Sequence, residues 1–514
     1  MLEEAVQGSG VDRLDPAERR VVEAVAAARK EDPQTTLDLF SQQDKPAIVD
    51  GRLARIRLLT APGELDLRGL GGLVEVAVVW SAKLASLVLG EHPRLRSLVL
   101  NRCMLTTLDL GGCTALETLE VEQNRLTGLV GLPATLRKLS CSQNPLGALD
   151  VRELAGLEEL MAFQCGLSAI DLRNLHRLRN LALHDNALAE IDARALARAE
   201  SLYLNGNRGR VLLPDAPGLT QLSADDALLT SFDAAPYPRL QVLSLQRCGL
   251  SSLHLENASL ESLSVTGNRL TDLDLRATPR LRQLSAADNP LARVDLSDVG
   301  RLTTATLPPS AEVTCTELQL SLLPELRARL GLAKPATAIT KMDAFQLHRF
   351  VQEYNWDDGA KKLVEVIRHP QCDRATALLV YWQSQPEEFA AYPTPADAPP
   401  GERKWVELLR EIEAKVAASG FATARIGFDV HDVDGVDLSD TDQRIPAAMR
   451  EPVRPPAGPR VVVPPSVDGA GQGRRRKGEA RQEGRTEEEA SREELIRGVG
   501  RGDIAYAQHG PAHP

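Results

Sequence analysis

A phrase of eleven residues, LRSLVLNRCML at 95–105, returns down the chain at an almost fixed spacing. LETLEVEQNRL begins at Leu116, LRKLSCSQNPL at Leu136, LEELMAFQCGL at Leu157 and LRNLALHDNAL at Leu178. AESLYLNGNRG begins at Ala199, LTQLSADDALL at Leu219, LQVLSLQRCGL at Leu240, LESLSVTGNRL at Leu260 and LRQLSAADNPL at Leu281. Ten copies follow one another every 20 or 21 residues, and weaker copies start near 53, 73 and 302. One repeat cannot bury its own leucines, so neighbouring copies must stack and share a core.

The shared pattern is L-x-x-L-x-L-x-x-(N/C)-x-L, usually followed by L-D-L. It resembles the leucine-rich repeat family. The resemblance implies an α/β solenoid, a horseshoe of short parallel strands. The ninth position holds Asn124, Asn144, Asn186, Asn207, Asn268 and Asn289, with Ala227 as an exception. Cys103, Cys165 and Cys248 take the same place, as small buried groups with a weak donor. They belong to strands that are not adjacent, at about 4.7 Å per strand, which separates them too far to share a metal ion. The second half of each unit is too short for a long helix, so turns or 3₁₀ pieces are expected on the convex side. Asp109, Asp150, Asp171, Asp274 and Asp295 recur there and read as turn caps. No D-x-D-x-D run argues for calcium, and no cofactor or metal is expected.

Alternation along a strand directs the third, fifth and seventh positions of each repeat to the concave face, a ladder on the order of 50 Å across roughly eleven strands. Most of these residues are small and polar. The middle differs: Met161, Phe163, His184 and Tyr203 occupy three consecutive strands, flanked by Glu120, Glu122, Glu159 and Asp225. Clustered apolar and aromatic residues on a surface mark interface hot spots. These eight residues are the candidate binding site, for a protein with an apolar anchor and some positive charge.

The ends need capping. VDRLDPAERRVVEAVAAARKED carries Val21, Val22, Val25 and Ala26 at helical spacing, with Asp15 and Pro16 as a helix start. The expected organisation is an N-terminal helical cap over 1–50, a solenoid over 51–335, a small mainly α (α+β) domain over 336–455 and a disordered tail over 456–514. In the third segment, helices are expected near 342–353, after Asp357 or Asp358, after Asp373, and over 402–417; ARIGFDV at 424–430 reads as a strand. The tail is rich in Pro, Gly and Arg, with a basic run Arg474–Lys477 and a capping-box pattern at Thr486 and Glu489.

NWDDG at 355–359, HPQCDRATALL at 369–379 and RIPAAMREPV at 444–453 are similar to a bacterial family, domain of unknown function 4274, over about 340–455. The resemblance supplies no catalytic residue. His369, Cys372 and Asp373 are close in sequence, as a thiol and its base must be in space; the plainer reading makes Asp373 a helix cap and Cys372 a core residue. Some bacterial effectors join leucine-rich repeats to a ubiquitin-ligase domain with a cysteine nucleophile. This chain lacks their L-P-x-L-P phrasing, and Cys372 is followed directly by Asp373.

The formal net charge of −11 argues against a general nucleic-acid coat, which needs a concentrated basic face. No stretch approaches the roughly 18 apolar residues that span a bilayer. Seven cysteines without a C-x-x-C pair fit a reducing compartment. These features predict a non-enzymatic, monomeric protein-binding scaffold in a bacterial cytoplasm, with a second interaction or effector domain. The alternatives are an immunity-type protein that neutralises a toxin and an effector enzyme using Cys372.

Overall fold

In the computed structural model, the described residues are 10–41, 46–332, 336–421, 426–430, 445–453 and 460–465. The chain divides into two compact units, Met1–Pro465 and Ser466–Pro514. The second unit lies outside the described residues, and with it Arg474–Lys477, Thr486 and Glu489.

Each copy of the phrase forms one short strand, and the three weak copies do as well, at Arg55–Leu58, Glu75–Val78 and Thr304–Thr306. The result is a sheet of thirteen strands in chain order, all pairs parallel, rather than roughly eleven. The weak copies qualify because they keep apolar residues at the fourth and sixth positions: Ile56 and Leu58, Val76 and Val78, Ala305 and Leu307 are all buried. Register is strict, Leu98 opposite Leu119, then Leu139, Leu160, Leu181 and Leu202. A single apolar core therefore runs from Leu14 in the cap to Val463, and each buried leucine contributes about 1.5–3 kcal/mol.

The ninth side chain stitches the turns together. Asn144 Nδ2 donates to Val121 O at 2.8 Å and Cys141 O at 3.0 Å, and its Oδ1 accepts from Leu126 N at 3.0 Å. Cys165 and Cys248 reproduce only the donor half, with Sγ 3.3 Å from Cys141 O and 3.2 Å from Ala224 O. The eighth position has left-handed backbone in every repeat from Trp80 to Asp288, with φ between 52° and 73°. Glycine takes this position at 206 and 267, but Trp80, Arg102, Gln123, Gln143, Gln164 and Asp185 also adopt it. Their side chains form their own row: Gln143 Nε2 donates to Gln164 Oε1 at 2.9 Å, and Gln164 Nε2 to Asp185 Oδ2 at 3.2 Å.

The opposite side of the solenoid departs from expectation. Among the described residues its repeats hold no 3₁₀ helix; they hold short parallel strand pairs, such as Glu190–Asp192 with Arg210–Leu212, and turns. The helical part of the α/β description comes from the ends of the chain. The recurrent aspartates do cap turns: Asp150 Oδ1 accepts from Arg152 N at 3.1 Å, and Asp171 Oδ1 from Arg173 N at 3.1 Å. The same arginine folds back onto the carboxylate, at 2.7 Å in both pairs. That guanidinium holds Asp150 and Asp171 down at about 2.

Helix α1 (Pro16–Arg29) begins where its sequence indicates, with Asp15 accepting from Ala17 N and Glu18 N in a capping box and Pro16 in the first turn. Its buried face is Val21, Val22, Val25 and Ala26. Glu18 is fully buried and accepts from Arg52 Nε at 2.9 Å and Leu53 N at 3.1 Å, which locks the cap to the first repeat. Helix α2 (Pro33–Leu39) completes the cap. At the other end, Val461–Val463 pairs antiparallel with Glu312–Cys315. Residues from 456 onward were expected to pack against nothing; three consecutive valines overturn that at this point by adding a strand, and Val463 is fully buried.

Helices α3 (Glu317–Leu322) and α4 (Pro324–Arg329) close the stack. Leu320 packs on the solenoid core, while Leu318 packs on the core of the next domain. That domain is built from α5 (Ala344–Gln352), α6 (Lys361–Arg368), α7 (Arg374–Gln383) and α8 (Arg403–Ala417). Asp343 caps α5 and Asp373 caps α7. Asp357 and Asp358 do not cap α6. Asn355 caps a 3₁₀ turn that contains them, and Gly359, at φ 73°, breaks the chain before α6 begins. The strand expected at 424–430 reduces, in its described part, to one antiparallel bridge between Phe428 and Val453. Trp382 Nε1 donates to Met449 O at 3.0 Å and holds the last described segment of the domain.

Candidate functional site

The exposed face of the long sheet carries the third, fifth and seventh positions, as alternation requires. Glu159 and Met161 pair in register with Asn180 and Ala182, and these with Ser201 and Tyr203. Met161, Phe163, His184 and Tyr203 are all half-buried on this face. Phe163 and His184 stack, with ring centroids 4.3 Å apart and planes 12° from parallel. Burial lowers the His184 pKa, so the stack is aromatic and uncharged near neutral pH. Tyr203 donates its hydroxyl to Gln221 Oε1 on the next strand.

His184 Nδ1 and Asn205 Oδ1 are buried polar atoms without a hydrogen-bond partner among the described residues. They occupy the seventh position of neighbouring repeats. Unsatisfied polar atoms are rare in ordinary folded surfaces, so the middle of this face is not optimised for the isolated chain.

The acidic flank is less open than the sequence alone suggests. Lys138 Nζ lies 3.0 Å from Glu120 Oε1 and 3.7 Å from Glu159 Oε2. Burial raises the Glu122 pKa, with the Glu120 charge adding to it. Asp225 is 8% exposed and engaged. It accepts from Ser244 Oγ at 2.7 Å, Gln246 N at 2.8 Å and Gln246 Nε2 at 3.2 Å. It therefore orders the two following turns and offers little to a partner. The residue that the repeat alignment did not weigh here is Lys138, which stands between two of the three glutamates.

In the helical domain, Cys372 is buried, and burial pushes its thiol up to about 12. His369 Nδ1 accepts from Gln371 N at 3.0 Å, a local turn contact. Asp373 is fully buried at the start of α7, accepting from Ala375 N at 2.9 Å. This arrangement is a core thiol beside a helix cap rather than an activated nucleophile. A shallow cleft of about 190 Å³ lies elsewhere, lined by Trp356, Ser384, Gln385, Glu388, Phe389 and Trp405. Trp356 and Trp405 stack there at 6.2 Å. Among the described residues, no group of three or more His, Cys, Asp or Glu side chains is placed to hold a metal ion.

Among solved structures, the functional domain of InlJ from Listeria monocytogenes is similar at 19% identity, over 52% of this chain and 71% of that one, with a TM-score of 0.42. An internalin, InlF, from Listeria monocytogenes is similar at 16% identity, over 60% of this chain and 86% of that one, with a TM-score of 0.39. YopM from Yersinia enterocolitica is similar at 23% identity, over 50% and 62%, with a TM-score of 0.41. These scores are low, and the repeat fold stands on the register of the sheet itself. No curated protein matches the chain. Residues 342–417 match the family described as Domain of unknown function (DUF4274). The match includes NWDDG and HPQCDRATALL and stops short of RIPAAMREPV. The chain thus carries a DUF4274 domain at 342–417, behind a solenoid of leucine-rich repeats.

Proposed function

We propose that this chain is a protein-binding scaffold that recognises its partner on the middle of the exposed sheet face, and that the DUF4274 domain adds a second interaction or effector role. The observation that carries this reading is the Phe163–His184 stack, half-exposed on a sheet face whose other residues are mainly small and polar, with Tyr203 on the adjoining strand. Large aromatic side chains contribute most of the energy at protein interfaces. Glu120, Glu122 and Glu159 outnumber Lys138, so the partner that fits has an apolar anchor beside a basic group. The seven cysteines are free and buried, in keeping with action as a monomer in a reducing bacterial cytoplasm. No helix among the described residues is long and apolar enough to cross a membrane.

The test is quantitative affinity capture from source-cell lysate with the full chain in three forms: wild type, Phe163→Ala/Tyr203→Ala, and Trp356→Ala/Trp405→Ala. The expected result is a protein retained by wild type and the tryptophan variant and reduced by about tenfold or more in the Phe163/Tyr203 variant, with melting curves showing all three folded. A partner lost only in the tryptophan variant would overturn the reading and move recognition to the helical domain.

A further inference from the structure

The first three repeats present a surface unlike the rest of the sheet face. Trp80 stands at the eighth position, with φ 61° and 63% of its surface exposed. Later repeats place Arg, Gln, Asp or Gly there. The left-handed backbone belongs to the repeat; the bulky aromatic does not, and at this exposure it fills no core. The seventh positions beside it are Leu59 and Val79, placed by the pairing of Leu58 with Val78. Leu59 is 68% exposed. The equivalent positions further along hold mainly polar residues, among them Asn101, Glu122, Ser142, Gln246 and Thr266. Folding alone therefore does not account for this apolar group.

The charge changes sign here as well. Arg102 lies flat over Trp80, with Cζ 3.7 Å from the ring centroid. It makes no ion pair among the described residues. Arg55 and Arg57 share Glu75, so the first three repeats carry three guanidinium groups and one carboxylate on this face. The middle of the face, with Glu120, Glu122 and Glu159, is acidic. A guanidinium held against an aromatic ring keeps its planar fork of donors in place for a carboxylate. Tryptophan and arginine are also the residues most enriched among interface hot spots.

We propose that Leu59, Val79, Trp80 and Arg102 form a second recognition site for an acidic protein segment that presents an aromatic or branched apolar side chain. The carboxylate pairs with Arg102, and the apolar side chain covers Leu59 and the open part of Trp80. A Trp–Arg pair also suits a stacked nucleobase, but Glu75, Glu120 and Glu122 on the same face oppose a phosphate backbone. The site does not depend on the Phe163 patch: the two lie four repeats apart, about 19 Å at the usual strand spacing.

Fluorescence anisotropy on the full chain tests this with three probes: a labelled Glu–Tyr copolymer, labelled poly-Glu and labelled oligo(dT). The copolymer should bind more tightly than poly-Glu and weaken with added salt. Trp80→Ala and Arg102→Gln should each weaken it by about tenfold, while Phe163→Ala/Tyr203→Ala should leave it unchanged. Trp80→Asn puts a residue that tolerates left-handed backbone in the same place; it should melt no lower than wild type and still lose the copolymer. Equal copolymer binding by wild type and both Trp80 variants overturns the proposal. Preferential binding of oligo(dT), lost with Trp80, also overturns it by assigning the surface to single-stranded nucleic acid.

Discussion

The imidazole of His184 lies 4.3 Å from the ring of Phe163, 12° from parallel, on the strand next to it. Burial is the main cause of the lowered His184 pKa, and Phe163 covers one face of the ring. Phe163→Ala should therefore raise this pKa towards its ordinary value of about 6.5. An NMR titration of the imidazole carbons would show the shift. An unchanged pKa would mean that the ring is shielded by the sheet rather than by its stacking partner.

Asn144 is a direct measure of what the ninth position contributes. Replacing it with Ala strands Leu126 N, Val121 O and Cys141 O inside the core. The cost should be about 2–3 kcal/mol, since each buried unpaired group is expensive. Asn144→Cys keeps a weak donor of the kind seen at Cys165, so it should cost less than Ala. Urea melts of the two variants give the order. If Cys proved as costly as Ala, the thiol contacts would carry no weight.

Leu263 is 1% exposed on the strand Ser262–Ser264, between Leu243 and Leu284. Leu263→Ala should destabilise by about 2–5 kcal/mol. Because repeats couple mainly to their neighbours, the loss should appear first as weakened hydrogen-exchange protection in the adjoining turns. Uniform loss across the solenoid would point instead to a single cooperative unit.

His348, on α5, is buried with Nδ1 3.1 Å from Thr376 Oγ1 on α7, and burial lowers its pKa to about 4. The folded value lies below the unfolded value of about 6.5, so the unfolded chain binds more protons between these limits. The stabilisation is complete above about 6.5 and is lost as pH falls to about 4, roughly 3 kcal/mol in all. Three of the chain's four tryptophans lie in 342–417, so denaturant melts followed by tryptophan fluorescence report on this domain. A His348→Asn variant should flatten the decline between pH 6.5 and 4.5; an equally steep profile would assign the acid sensitivity to other groups.

Much of this architecture is legible in the repeat. The leucines at fixed spacing require a stack, and Asp15–Pro16 marks the first helix to the residue. Alternation brings Met161, Phe163, His184 and Tyr203 to one face. The faint copies at 53, 73 and 302 are legible too, once the test is burial at the fourth and sixth positions rather than the presence of leucine. The engagement of Asp225 was not legible, because Ser244 and Gln246 lie about one repeat further on and only stacking sets them beside it. Asp358 failed as a cap for α6 because Gly359 ends the turn it sits in.

Periodicity fixes which side chains are buried and which face outward, because burial depends only on spacing along a strand. It cannot say what a surface side chain meets. That Lys138 stands between Glu120 and Glu159, that Arg102 covers Trp80, and that Val461–Val463 closes the solenoid beside Glu312–Cys315 are contacts between residues about 20 or about 150 positions apart. Such contacts depend on distances between stacked turns, and those distances exist only once the core has brought the turns together.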